Sequence, residues 1–323
     1  MAFERDKLLY EVSKLYYEDK MTQEKVAKQM GLSRQRVQRF LDAARKEGIV
    51  QIHLVNPMSS CRKLEEKLEQ HFKLTKAIVI PCGIKTEEII RKNIGKAAAI
   101  YLEKSIHDND IIGIGWGRTV YEIINYFNPN KKIPITAVPL IGGIGQMSAD
   151  FQVNELVKKF AEKAGGTFIP FYVPALVDTD EIINVLFSDT NIGKVAKLWG
   201  KVNIAVIGIG GPLSKDSYIP TSYYNEADID LLKKEESAGD ILSYFLCQNG
   251  KLCTSQLSKK VMGISPELLR KIKRVVAVAG SLRKKDAIFS ALEGKFIDVL
   301  VTDDNVAKSI LKNKLYNFHN ELY

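Results

Sequence analysis

Four glycine-bearing segments carry the strongest chemical signal in this chain. They are Gly113-Ile-Gly115-Trp116-Gly117-Arg118-Thr119, Gly142-Gly143-Ile-Gly145, Gly208-Ile-Gly210-Gly211-Pro212 and Gly280-Ser281-Leu-Arg283-Lys284. A glycine-rich turn that opens a helix offers bare backbone N–H groups and the positive end of the helix dipole to an anion. The first segment is not a dinucleotide fingerprint, because the third glycine is missing at the required offset. It is not a P-loop either, since no Gly-Lys-Ser/Thr follows. Any one such loop is more often a tight turn than a ligand contact. Four of them at one edge of a sheet, with Lys284 among them, point to a small ligand that carries phosphate. Gln152 and Asn154, at the start of a helix, and Asp240, in Ser237-Ala-Gly-Asp240-Ile241, add polar candidates. A carboxylate beside a glycine turn accepts sugar hydroxyls, although an exposed loop or N-cap aspartate reads the same way. Ile141, just before Gly142-Gly143, either faces that ligand edge or points into the core. At the edge it would offer an apolar wall, with neither a Schiff-base amine nor a clamp for a second phosphate. That placement favours a non-covalently held effector with a single phosphate.

A second chemistry sits near the N-terminus. Between Ser33 and Lys46 the bases Arg34, Arg36, Arg39, Arg45 and Lys46 face one acid, Asp42. At 100° per residue, Gln35 and Arg39 fall opposite the apolar Val37, with Arg36 and Gln38 on the flanks. Arginine reads guanine O6 and N7 through two hydrogen bonds, and glutamine pairs with adenine N6 and N7. Thr22, Gln23 and Ser33 stand at helix N-termini, where hydroxyl, amide and backbone N–H groups suit DNA phosphates. A solvated basic helix face is the plain alternative.

The elements that must position these groups are legible. Leu8, Leu9, Val12, Leu15 and Tyr16 have helical spacing over residues 6–19. Thr22 caps a second helix with Val26, Ala27 and Met30 inside. Gly31-Leu32-Ser33 makes a turn, and Ser33 caps a third helix with Val37, Phe40, Leu41 and Ala44 inside. Helix, helix, tight turn and helix in about 45 residues is the helix-turn-helix layout, whose last helix enters the major groove. Residues 49–54 alternate like a short strand, which would make the unit winged, and His53 on it is a surface residue. A charged helix over 59–74 is a linker, a dimerisation element or the first helix of the next domain. The boundary is expected near Asn56-Pro57, giving a DNA-binding domain over 1–57 and an effector and oligomerisation domain over 58–323.

From Lys76 onward apolar strands alternate with amphipathic helices. Strands are expected over 77–81, 110–115, 135–141, 167–173, 202–208, 274–279 and 299–302. Helices are expected over 86–104, 119–127, 153–164, 192–198, 285–292 and 305–311. This alternation predicts a mostly parallel, doubly wound α/β sheet, which binds ligands at the C-terminal ends of its strands.

Composition narrows the class. The 323 residues are 46% hydrophobic and 26% charged, which suits a two-domain globular protein and excludes a disordered or collagen-like chain. The start Met1-Ala-Phe-Glu-Arg5 has no apolar core of a signal peptide, and no apolar run reaches membrane-spanning length, so a cytoplasmic protein is expected. The formal charge is +9, and residues 1–57 hold 11 basic against 8 acidic residues. That excess is compatible with a polyanion partner. Cys61, Cys82, Cys247 and Cys253 show no C-x-x-C spacing, so no metal site is expected. Cys247 and Cys253 flank Asn249-Gly250, a two-residue hairpin signal. In that register their sulfurs are not opposite each other, and all four cysteines are expected to be reduced.

The whole pattern resembles the SorC family of sugar-responsive bacterial transcription regulators. The resemblance rests on residues 22–55, ending in Ala43-Ala-Arg-Lys-Glu-Gly-Ile-Val-Gln-Ile52, and on Gly113-Ile-Gly-Trp-Gly-Arg-Thr119. It continues through Pro139-Leu-Ile-Gly-Gly143, Gln152-Val-Asn154, Ser237-Ala-Gly-Asp240, Val278-Ala-Gly280 through Ile288, and Leu300-Val-Thr-Asp303. It implies a Rossmann-like effector domain of the ribose-5-phosphate isomerase and glucosamine-6-phosphate deaminase type, and operator binding as a homodimer or homotetramer. The implied effector is a phosphorylated sugar, with no other cofactor. Gly115, Trp116, Gly117, Arg118, Thr119 and Lys284 would cradle its phosphate, beside Gly142 and Gly143. Gln152, Asn154 and Asp240 would hold its hydroxyls. Two departures stand out. Glu236-Ser-Ala-Gly-Asp240 replaces the common Gly-Ala-Val-Gly-Asp, and Gly280-Ser281 replaces a glycine pair. The expected function is a regulator, acting as a repressor, of a carbohydrate utilisation operon. The rival is a sugar-phosphate isomerase or deaminase on the same fold, which needs a placed acid and base. His71, His107 and His319 lie outside the four glycine segments, and an attached DNA-reading unit opposes that reading.

Overall fold

The computed structural model describes residues 2–51, 61–83, 86–145, 149–213, 224–253 and 255–320. The chain divides into two compact units, residues 1–60 and 61–323.

The first unit is built from α1 (Ala2–Tyr17), α2 (Gln23–Met30) and α3 (Arg34–Lys46). Their apolar stripes meet in a small core of Val12, Val26, Ala27, Val37 and Leu41, with Phe40 and Met30 packed at its margin. Both expected caps form. Thr22 Oγ1 accepts the Lys25 N–H and Ser33 Oγ accepts the Arg36 N–H, each at 3.3 Å. Gly31 ends α2 at φ +65°, the left-handed conformation that lets the chain reverse into α3 within two further residues. Ile49 and Val50 form a bend rather than the start of a strand. The Val50 N–H is spent on Ala44 O at 3.0 Å, which folds it back onto α3. The rest of the expected strand, His53 and the Asn56-Pro57 boundary lie outside the described residues.

The second unit begins with α4 (Arg62–Phe72), which buries Leu68. Of the three readings of that helix, it is the first helix of this unit. Its Glu65 and Glu69 carboxylates accept the N–H groups of Val79 and Ala77, each at 2.9 Å, on β1 (Lys76–Ile80). There follow α5 (Glu87–Ser105), β2 (Ile111–Ile114), α6 (Arg118–Tyr126), β3 (Thr136–Pro139), α7 (Val153–Ala164) and β4 (Thr167–Phe168). Next come α8 (Asp180–Ser188), α9 (Thr190–Trp199), β5 (Ile204–Gly208), α10 (Glu226–Lys234), β6 (Ser237–Ile241) and β7 (Tyr244–Cys247). The chain closes with α11 (Ser255–Ser258), α12 (Pro266–Leu269), β8 (Arg274–Val278), α13 (Lys285–Glu293), β9 (Val299–Asp303) and α14 (Asp304–Asn320).

All seven strands expected from the sequence join one sheet in the order β1-β9-β8-β5-β2-β3-β4. Every pairing in it is parallel. Parallel strands covered on both faces read as continuous apolar runs. That is why Ile204–Gly208 and Val299–Asp303 were so plain, and residues of both lie in the core. The strand expected over 167–173 is cut to two residues, because Pro170 has no N–H to continue the ladder.

From β2 the chain moves outward to β3 and β4. From β5 it moves the other way, to β8 and β9. Right-handed crossovers in opposite directions put their helices on opposite faces and leave a crevice between β2 and β5 at the strands' C-terminal ends.

The antiparallel hairpin β6–β7 stands outside this sheet, with Asp240 paired to Phe245. Beyond β7 the loop holds three residues rather than two. The Cys247 N–H bonds Lys251 O and the Gly250 N–H bonds Cys247 O, both at 2.9 Å, with Gly250 at φ +75°. That moves the register by one, so Leu246 faces Leu252. It also brings Cys247 and Cys253 to a Cα separation of 5.1 Å, joined by a disulfide. The expectation that these two cysteines are reduced is thus overturned. Cys61 and Cys82 are free. No helix among the described residues is long and apolar enough to cross a membrane.

Candidate functional site

A cavity of about 170 Å³ opens at the crevice between β2 and β5. Three of the four glycine segments line it. Trp116, Gly117, Arg118 and Thr119 come from the end of β2, Gly208 to Leu213 from the end of β5, and Gly280, Ser281, Arg283 and Lys284 from the end of β8. Gly117, at φ +133°, turns the chain into α6, whose N-terminus receives no side-chain cap. A helix N-terminus with no side-chain cap suits an anion. Gly115 lies just behind this rim, where any Cβ would sit 2.6 Å from Leu242 Cδ2.

Lys284 and Asp240 meet on one peptide of the β5 loop. The Lys284 ammonium donates to Ile209 O at 2.8 Å. Gly210 exchanges two backbone hydrogen bonds with Asp240, at 2.9 and 3.2 Å. A Cβ at Gly210 would collide with the Asp240 carboxylate, so only glycine allows this approach. The Ser243 N–H donates to Asp240 Oδ2 at 3.1 Å. Asp240 thus sits on a strand of the hairpin and faces the cavity, which settles it against an exposed loop or cap position. Burial pushes its carboxyl above the usual carboxylate range, while the Ser243 N–H and the Lys284 charge pull it back. Burial likewise pushes the Lys284 ammonium down, opposed mainly by Asp240. Both groups are part-buried at the cavity and each feels the other's charge, an arrangement suited to a polar ligand.

One wall was not foreseen. Glu87, Ile90, Arg91 and Ile94 of α5 line the same cavity at helical spacing. Arg91 rests 3.6 Å from the buried Glu122 carboxylate of α6, and Gly95 lets the two helices touch at that point. A usable signal existed. A helix that follows a parallel strand starts at the strands' C-terminal edge, so its first two turns reach any ligand bound there.

The end of β3 does not join the site. Gly142, Gly143, Gln152 and Asn154 line no part of this cavity. A Cβ at Gly142 would collide with Pro174 O, and its N–H bonds Met262 O at 2.8 Å, so this glycine serves close backbone packing. Gly143 N–H bonds Val173 O at 2.8 Å, and Gln152 Nε2 donates to Ile144 O. Ile141 is fully buried opposite Gly263, so it is a core residue and not a wall of the pocket. Asn154 pairs with both polar groups of the Phe171 residue, accepting its N–H at 2.8 Å and donating to its C=O at 3.1 Å. Removing that amide strands two part-buried backbone groups. Asn154→Ala is therefore expected to lower unfolding stability by about 1–3 kcal/mol while leaving ligand affinity unchanged, as read by denaturant melts beside calorimetry.

In the N-terminal unit, the eight residues singled out surround the start of α2 and the outer face of α3. Gln35 and Arg39 are exposed, with no hydrogen bond or ion pair among the described residues. Gln38 is engaged, accepting from Gln23 Nε2 at 2.5 Å and donating to Asp42 at 3.1 Å. Arg34 lies 3.6 Å from Glu24, and the Arg36 guanidinium lies 5.5 Å from the Phe40 ring centre. Thr22 and Ser33 cap their helices as described. The outer face therefore presents Gln35 and Arg39 on a frame braced by Gln23, Gln38 and Asp42.

Residues 56–312 match the family model described as "Putative sugar-binding domain". The chain is 30% identical over 308 residues to the sorbitol operon regulator of Klebsiella pneumoniae, covering 95% of this chain and 98% of that one. It is 29% identical over 315 residues to the deoxyribonucleoside regulator of Bacillus subtilis strain 168, covering 97% and 100%. The crystal structure of the full-length sorbitol operon regulator SorC from Klebsiella pneumoniae superposes with a TM-score of 0.82 at 29% identity, covering 94% of this chain and 98% of that one. These relatives are regulators and not enzymes, as expected from the sequence. The match runs through both units, so the chain belongs to the SorC family of transcriptional regulators with a sugar-binding domain.

Proposed function

We propose that this regulator represses a carbohydrate utilisation operon and is released from its operator by a phosphorylated sugar bound in the crevice between β2 and β5. The observation that carries this is the convergence of Arg118, Lys284 and the uncapped N-terminus of α6 on one cavity that also contains Asp240. Cations and a helix N-terminus suit phosphate, and a carboxylate suits hydroxyls. The names of relatives, a sorbitol operon regulator and a deoxyribonucleoside regulator, support a sugar or polyol pathway. In this reading residues 1–57 form a winged helix-turn-helix domain. The remainder, of the ribose-5-phosphate isomerase and glucosamine-6-phosphate deaminase type, binds effector and assembles a homodimer or homotetramer in the cytoplasm, with no cofactor besides the effector.

A mobility-shift assay on the DNA flanking the gene, with and without pentose and hexose phosphates, tests the reading. At least one sugar phosphate is expected to release the complex, and none is expected to be turned over in a parallel assay. Turnover of any of them, or release only by an unphosphorylated sugar, would overturn it.

A further inference from the structure

Ser281 stands where the backbone asks for glycine. It has φ +79° and ψ 132°, a conformation that L side chains rarely adopt. Its polar groups are all committed. The N–H donates to Asp303 Oδ2 at 2.8 Å, and the hydroxyl accepts from the Arg283 N–H at 3.4 Å while donating to Glu87 Oε1 at 2.7 Å. That last bond joins the β8–α13 loop to the first turn of α5, beside the cavity that both residues line.

Glu87 is unusual in turn. It is a carboxylate facing a cavity walled by Arg91, Arg118, Arg283 and Lys284, yet it forms no ion pair among the described residues. The Lys284 ammonium senses Glu87 as well as Asp240. Ser281 holds one carboxylate oxygen, and the other lone pairs remain for a ligand. A carboxylate in that place does two things to an incoming sugar phosphate. It accepts hydroxyls, and it repels any second phosphate that the surrounding cations would otherwise attract.

We propose that Glu87, oriented by the Ser281 hydroxyl, is a specificity-determining residue of this pocket that selects polyhydroxylated monophosphates against bisphosphates. The inference rests on the phosphosugar reading above. Removing one unit charge about 6 Å from an anion in a partly solvated site changes affinity on the order of tenfold.

The test is calorimetric titration of the full chain with pentose and hexose monophosphates and with fructose 1,6-bisphosphate. Glu87→Gln keeps an acceptor for Ser281 and removes the charge. It is expected to raise bisphosphate affinity relative to monophosphate by about tenfold. Ser281→Gly adopts the same backbone without strain, so its melting temperature should not fall, and it should shift the same ratio in the same direction by a smaller factor. An unchanged ratio in Glu87→Gln overturns the inference and leaves the pocket reading standing. An unchanged ratio in Ser281→Gly alone removes the positioning role of the hydroxyl. Failure of the unaltered protein to bind any phosphorylated sugar overturns both.

Discussion

Lys284→Ala is expected to abolish the response to effector while operator binding persists. Lys284 supplies an ammonium that is bonded to the β5 loop and feels the charge of Asp240. Truncating one partner of a part-buried, charge-assisted ligand contact costs about 2–4 kcal/mol, on the order of 30- to 1,000-fold in affinity. The loss has a second source. Without the ammonium, burial acts on Asp240 with only the Ser243 N–H to oppose it, so its carboxyl moves further up and holds hydroxyls less well. Asp240→Asn keeps an acceptor for Ser243 and should fail in the same direction through the lost charge. Neither residue belongs to the N-terminal unit, so mobility shifts without effector should match those of the unaltered protein. Release requires that effector bind one state of the protein more tightly than the other, and both variants remove that difference at its source. Wild-type effector affinity in both variants, measured by calorimetry, would show that the pocket lies elsewhere.

How far the site was legible follows from what each residue is asked to do. The strand runs were plain because buried parallel strands are apolar on both faces, and glycine at their ends marks a turn. Glycine does not say why the turn is tight. At Gly117 and Gly210 the reason is an open helix end and the approach of Asp240. At Gly142 it is the approach of the Pro174 carbonyl, and the same sequence signal led away from the site. Asn154 failed for a related reason, since an amide that can hold a sugar hydroxyl can equally hold the Phe171 peptide. Residues on α5 were missed because a helix wall has no motif. Glu87 and Arg91 become visible only once the sheet order places the start of α5 beside the crevice. The hairpin register failed on one residue of loop length, which is also what brought Cys247 to Cys253.

Operator affinity should fall steeply with salt, and Arg39→Ala should relax sequence preference at one base position. Each phosphate neutralised by a lysine or arginine adds about −0.9 to the slope of log affinity against log salt. Six to ten such contacts would cost roughly 10³- to 10⁵-fold between 50 and 200 mM salt. A slope near zero would exclude this mode of binding. The contribution of Arg39 is separable, because it stands exposed on the outer face of α3 beside Gln35 with no ion pair among the described residues. A guanidinium with no internal partner keeps both N–H pairs for a guanine edge, and its loss costs about 1–3 kcal/mol on the preferred site. Gln38 differs, because its amide bridges Gln23 and Asp42. Gln38→Ala should therefore loosen the α2–α3 frame and weaken all sequences alike. The comparison is made on a set of operators varied one base pair at a time. Equal losses on every duplex for Arg39→Ala would make it a phosphate contact, and the base-reading role would pass to Gln35, which is exposed on the same face.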